Sequence, residues 1–99
     1  MTKKIFSYEE AAALLPLVRQ LTSDAVERVD TLESETPDEY QRIVASWAAD
    51  IIRLGIEVKG LWLIDFDNGS GYYCWRWPEP SLQFFHGYDE GFGGRVKLQ

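Results

Sequence analysis

The 99-residue chain contains a single cysteine, a single histidine, one methionine and four prolines. One cysteine excludes an internal disulfide and a zinc cage built on several thiolates. No apolar run approaches the ~20 residues that a membrane helix needs, so no membrane partner is expected. Basic residues are also scarce: ten Lys and Arg face sixteen Asp and Glu, for a net charge of −6. That balance denies the chain the positive face that phosphate contacts require, which argues against a nucleic-acid partner. The start, MTKKIFSYEE, has two lysines but no apolar run. It does not read as a secretory signal, and a cytoplasmic location is expected.

What is present suits one globular domain over residues 1–99, with 45% hydrophobic residues feeding one modest core. Ser7-x-x-Glu10 is a capping box that opens a helix, with Phe6 placed to staple onto Ala11. Leu14, Val18, Leu21, Ala25, Val29 and Leu32 then recur at steps of three or four, one face of a helix. Pro16 predicts a kink within it. After a turn at 33–36, Thr36 as N-cap, Pro37 and Glu39 start a second helix, with Tyr40, Val44, Trp47, Ile51 and Leu54 on its apolar face. Gly55 is a natural residue to end it. A short connection makes the pair an antiparallel hairpin over about 7–55, with Ala25 facing Trp47.

Residues 56–99 change character. Leu61–Phe66, Tyr72–Trp77 and Ser81–His86 are β-forming runs separated by Asp67–Gly71 and by the break at Pro78-Glu79-Pro80. A glycine-rich loop follows, and Arg95–Leu98 suits a short terminal extension. The expected fold is therefore α+β: a helical hairpin and a three-stranded antiparallel β-meander. Counting outward from the turns puts Trp62, Ile64, Phe66, Tyr72, Cys74, Arg76, Leu82, Phe84 and His86 on the face that packs on the helices. Leu61, Leu63, Asp65, Tyr73, Trp75, Trp77 and Phe85 fall on the other. An apolar face of that size marks a partner surface, and a homodimer through Tyr73, Trp75, Trp77 and Phe85 is expected.

Several short motifs recur in order: Leu63-Ile64-Asp65-Phe66, Cys74-Trp75-Arg76, Glu79-Pro80, Phe85-His86 and Gly91-Phe92-Gly93-Gly94-Arg95. With Phe6 to Pro16 and Leu54 to Lys59, they make the chain resemble a bacterial family catalogued as domain of unknown function 2203. Pro78 stands where that family tends to have glycine, and Phe85 where it tends to have tryptophan. The resemblance implies a fold and a set of positions, and no reaction.

The sharpest chemical cluster is His86, Asp89 and Glu90, at a strand end and in the loop after it. Imidazole and carboxylate suit a divalent transition metal such as zinc, manganese or iron, and Asp65 or Asp67 would add an oxygen. The plain alternative is that Asp89 merely holds His86 at the sheet edge. Arg76 and Arg95, beside the Gly91–Gly94 loop, would suit an anion; the alternative is a structural pair of Arg95 with Glu79 or Asp89. Glu79, pinched between prolines, presents its carboxylate rigidly. Cys74, inside a strand between aromatics, reads as a buried, inert thiol. Two functions follow. One is a non-catalytic binding or assembly module for an unknown small molecule. The other is a small metal-dependent, hydrolase-like enzyme using His86 and Asp89.

Overall fold

The computed structural model describes residues 4–32 and 37–98. Helices α1 (Tyr8–Asp30) and α2 (Pro37–Arg53) precede strands β1 (Glu57–Gly60), β2 (Leu63–Asp67), β3 (Tyr72–Arg76), β4 (Phe84–His86) and β5 (Val96–Lys97). The strands form one antiparallel sheet in sequence order. The α+β class stands, with helices first and a meander after. The sheet has five strands where three are expected. The expected turn at 33–36 and the Thr36 cap lie outside the described residues. No helix among the described residues is long and apolar enough to cross a membrane.

The Ser7 capping box forms as read. Ser7 Oγ accepts the Glu10 N–H at 3.1 Å, and a Glu10 carboxylate oxygen accepts the Ser7 N–H at 2.9 Å. The Ser7 N–H bond, then the hydroxyl, hold Glu10 below the usual carboxylate range. Phe6 is buried with Ala11, and its ring meets Phe66 edge-on at 5.2 Å. Pro16 lies within the span of α1. The deepest stripe of α1 is Ala11, Leu15, Val18, Thr22 and Ala25. Leu14, Leu21, Val29 and Leu32 flank it, half-buried. On α2 the buried positions are Ile43, Trp47 and Ile51, while Tyr40 is exposed.

Thr22 is the polar member of that stripe, and the two helices meet through it. Its hydroxyl donates to Val18 O at 2.7 Å and accepts the Trp47 indole N–H at 2.9 Å. Trp47 therefore sits within a turn of Ala25, and the two line one cleft. Thr22→Val keeps the shape but strands a buried indole N–H, which should cost about 1–3 kcal/mol. A urea denaturation midpoint unchanged from wild type would show that the indole finds another acceptor.

Gly55 ends the helical part with φ +85°, and a Cβ there would lie 2.9 Å from Lys4 Cβ, so both backbone and space call for glycine. The chain then turns into β1, which composition does not announce. The β1–β2 turn runs through Leu61 and Trp62, and Trp62 holds φ 58°. That left-handed conformation disfavours a bulky side chain. An edge-on contact of its ring with Trp47 at 4.9 Å holds it in place.

The register of β2 on β3 corrects the expected faces. Asp67 is paired with Tyr72, so the hairpin loop is Asn68–Gly71, and Ile64 and Phe66 oppose Trp75 and Tyr73. Asn68 Oδ1 accepts the Ser70 and Gly71 N–H groups at 2.8 and 2.9 Å, which makes the loop one residue shorter than the composition suggests. One residue of shift exchanges every side chain of a strand. The face toward the helices is thus Ile64, Phe66, Tyr73 and Trp75, with Trp75 fully buried. Tyr73, Trp77 and Phe85 are half-buried. Of the surface expected to meet a second copy, Trp75 is buried in the chain's own core, and Tyr73 and Trp77 pack against that core.

Candidate functional site

The outer face of the sheet is where the chemistry collects. Asp65 pairs with Cys74 across β2 and β3, Asp67 pairs with Tyr72, and Tyr72 pairs with His86 across β3 and β4. Cross-strand partners share a face. Asp65, Asp67, Tyr72, Cys74 and His86 therefore project together, and all five are buried. The helices cover the opposite side, so burial here comes from Glu57 and Lys59 of β1 and from the segment after β4. Tyr88 reaches back and donates its hydroxyl to Asp67 Oδ1 at 2.6 Å, and its ring meets Tyr72 edge-on at 5.1 Å. Gly71 also packs closely here: a Cβ on it would sit 2.6 Å from His86 O.

His86 is fixed at both nitrogens. Nδ1 lies 2.9 Å from Gly87 O, and Nε2 lies 2.9 Å from Asp65 Oδ2. A carbonyl only accepts, so Nδ1 carries a proton. Nε2 and Asp65 then share one proton, either as imidazolium and carboxylate or as imidazole and carboxylic acid. Burial pushes Asp65 above the usual carboxylate range, and His86 and the Cys74 thiol pull it back only in part. Asp65 Oδ1 is buried with no N–H or O–H donor on it among the described residues.

Cys74 is not a nucleophile in this arrangement. Burial first, and the neighbouring Asp65 second, push its thiol up to about 12, against a smaller opposing pull from Arg95. Both imidazole nitrogens are committed elsewhere, and the Asp65 carboxylate beside the sulfur disfavours the thiolate rather than freeing it.

The remaining candidates resolve differently. Asp89 is exposed, and His86 is held by Asp65 and Gly87 O rather than by Asp89. Asp89 is thus not the histidine's hydrogen-bond partner, and the ligand atoms that converge on His86 are those of Asp65 and Cys74. Glu90 folds back so that Oε1 accepts the Gly87 N–H at 2.8 Å. Glu79 and Arg95 form the structural pair, with Nη1–oxygen distances of 2.9 and 3.1 Å. The Arg95 guanidinium lies 3.9 Å from the ring centres of both Phe84 and Phe92. Glu79 also accepts the Arg76 N–H at 2.9 Å, while the Arg76 side chain lies over Phe92 at 5.3 Å. These groups clamp the terminal segment onto the sheet, which leaves Arg95 engaged rather than offered to an anion.

Asp65, Cys74 and His86 each place one ligand atom within 4.8 Å of the others. They border a cavity of about 370 Å³ whose walls include Leu63, Tyr72, Tyr88 and Phe92, with Lys59 and Glu90 also lining it. Lys59 Nζ is 3.0 Å from Glu57 and 4.4 Å from the centre of the Tyr72 ring. Burial pulls its pKa down, but Glu57 and Tyr72 outweigh that and the net shift is upward, so the ammonium stays charged. A second cleft of similar volume lies between Arg28, Glu39 and Arg42, all of them exposed, and it brings no buried titratable group together.

Of the three metal candidates, the reading of residues alone names His86 and raises Asp65 as a further oxygen. It misses Cys74 as a neighbour of Asp65. The usable signal is Asp65 itself, a carboxylate inside the apolar run Leu61–Phe66. A buried acid must find a partner.

No curated protein and no solved structure matches the chain. The family model described as an uncharacterised conserved protein, DUF2203, matches residues 27–98, which leaves out the Phe6–Pro16 stretch. With most of its length matched, the chain belongs to the DUF2203 family.

Proposed function

We propose that this chain is a small metal-binding module that holds a divalent transition metal on Asp65 Oδ, Cys74 Sγ and His86 Nε2. The observation that carries this reading is the convergence of three different ligand types, all buried, within 4.8 Å on adjacent strands. Zinc–ligand distances of about 2.0–2.3 Å imply tetrahedral edges of roughly 3.3–3.7 Å, so the widest separation must close by about 1.1–1.5 Å. The 2.9 Å hydrogen bond between Nε2 and Oδ2 would open slightly to admit the ion. Gly87 O supports the reading as well, because metal-bound histidines donate their second N–H to such an acceptor. Thiolate with imidazole and carboxylate suits zinc better than magnesium or calcium. The high thiol pKa does not oppose this, since a coordinated thiol is deprotonated by the metal. A reducing cytoplasmic setting would suit a lone thiol ligand.

The test is cobalt and zinc titration of protein purified without a histidine tag and stripped with chelator. One cobalt per chain should bind with a thiolate-to-cobalt charge-transfer band. Cys74→Ser should remove the band, and His86→Gln should weaken binding by about tenfold or more, as loss of supporting or direct ligands does. Asp89→Ala should change neither. No band in the wild type, with circular dichroism showing a folded chain, would sink the reading.

A further inference from the structure

We infer that the metal centre keeps one coordination position open to the adjoining cavity, and that this position takes the carboxylate of a small organic acid with an apolar body. The inference rests on the metal reading above and goes beyond it in naming the ligand class.

Three protein ligands leave a tetrahedral ion one position short, which is the pattern of sites that bind an exogenous molecule. All three come from the outer face of one sheet, so the missing position points away from the strands. On that side lies the cavity of about 370 Å³ that the same three residues border. Its size falls at the small end of ligand sites, and a mostly apolar lining with a few polar groups is typical of them. Leu63, Tyr72 and Phe92 offer the flat apolar wall.

Charge decides the polar end. One carboxylate, one thiolate and a divalent cation make a neutral centre, so an incoming anion meets no net repulsion from it. Lys59 lines the same cavity, and its ammonium, 3.0 Å from Glu57, keeps a further N–H to offer a second anion. Glu90 also lines it, and its carboxylate disfavours a dianion such as phosphate. A monocarboxylate is the anion that fits both. The Glu90 carboxylate is itself held by the Gly87 N–H at 2.8 Å, so it does not compete for the metal in this arrangement.

Three probes of one shape separate the contributions: benzoate, benzyl alcohol and benzylamine. Each is added to the cobalt-loaded protein while the d–d spectrum and the heat of binding are followed. Benzoate should shift the d–d bands, and the other two should not at equal concentration. Lys59→Ala should weaken benzoate binding by about tenfold, while cobalt affinity stays within about twofold. A charge-transfer band with no response to benzoate would overturn this inference and leave the metal reading standing. No charge-transfer band at all would remove both. An equal response to benzyl alcohol would show that the wall and not the carboxylate is recognised, and would overturn the assignment of an acid.

Discussion

His86→Ala should destabilise the metal-free protein by about 3–5 kcal/mol, read from the urea midpoint with chelator present. Asp65 and His86 are both buried and hydrogen-bonded to each other at 2.9 Å. Removing the imidazole leaves a buried carboxyl group without its main partner, and it also leaves a cavity. The pair itself need not stabilise the fold. Asp65→Leu with His86→Leu removes both polar groups at once, and the double variant should cost less than His86→Ala alone. The single variant should also respond to pH. Burial already raises the pKa of Asp65, and loss of the imidazole removes a charge and a hydrogen bond that lower it. An acid whose folded pKa lies above its unfolded value favours the folded state below about pH 4 and loses that contribution as pH rises through the folded value. The penalty of His86→Ala should therefore grow between pH 4 and pH 7. A loss below about 1 kcal/mol at pH 7 would mean that solvent reaches Asp65 once the ring is gone.

The same pair shows where sequence reasoning works and where it stops. Local signals are legible because their physics is local. Ser7 and Glu10 bond within one turn of helix, and Gly55 holds a φ that other residues avoid. The amphipathic stripe of α1 is nearly right, but it passes over Leu15 and Thr22, which lie deeper than Leu14 and Leu21. A threonine scores as polar until the indole of Trp47 is known to reach it. Sheet faces are different, since they depend on one integer. Asp67 has the composition of a turn residue, yet it pairs with Tyr72. Counting it as loop turns Tyr72, Cys74 and His86 toward the helices, away from Asp65, and turns Tyr73 and Trp75 outward, while Ile64 and Phe66 stay on the helix side where the structure has them. Asp89 lies outside the converging ligand group for a related reason. Asp89 is three positions from His86 in the chain, but a strand-end histidine projects onto the sheet face, where its neighbours come from other strands. β1 escapes notice because its turn is made by Trp62 at a positive φ, which no turn propensity favours.

Trp75 carries the largest packing consequence of that register. It is fully buried in the core that joins the sheet to the helices, and its indole N–H donates to Glu79 O at 2.8 Å. Trp75→Ala should cost about 3–5 kcal/mol through lost contact and the cavity left behind. Trp75→Phe should recover most of the packing while leaving Glu79 O without its donor, at about 1–2 kcal/mol. The difference between the two measures the ring apart from the hydrogen bond. The Glu79 backbone is tied to Trp75 while its carboxylate holds Arg95, so both variants should also loosen the terminal segment over the outer face. Faster amide exchange at Val96 and Lys97 would report that. Trp75→Asp sets the two possible orientations of the sheet against each other. On a solvent-facing strand it would leave the chain folded and alter association alone. In the observed register it places a carboxylate between β3 and the helices, and it should abolish the native near-ultraviolet dichroism. A folded Trp75→Asp chain with a wild-type urea midpoint would show that the helices do not cover this face.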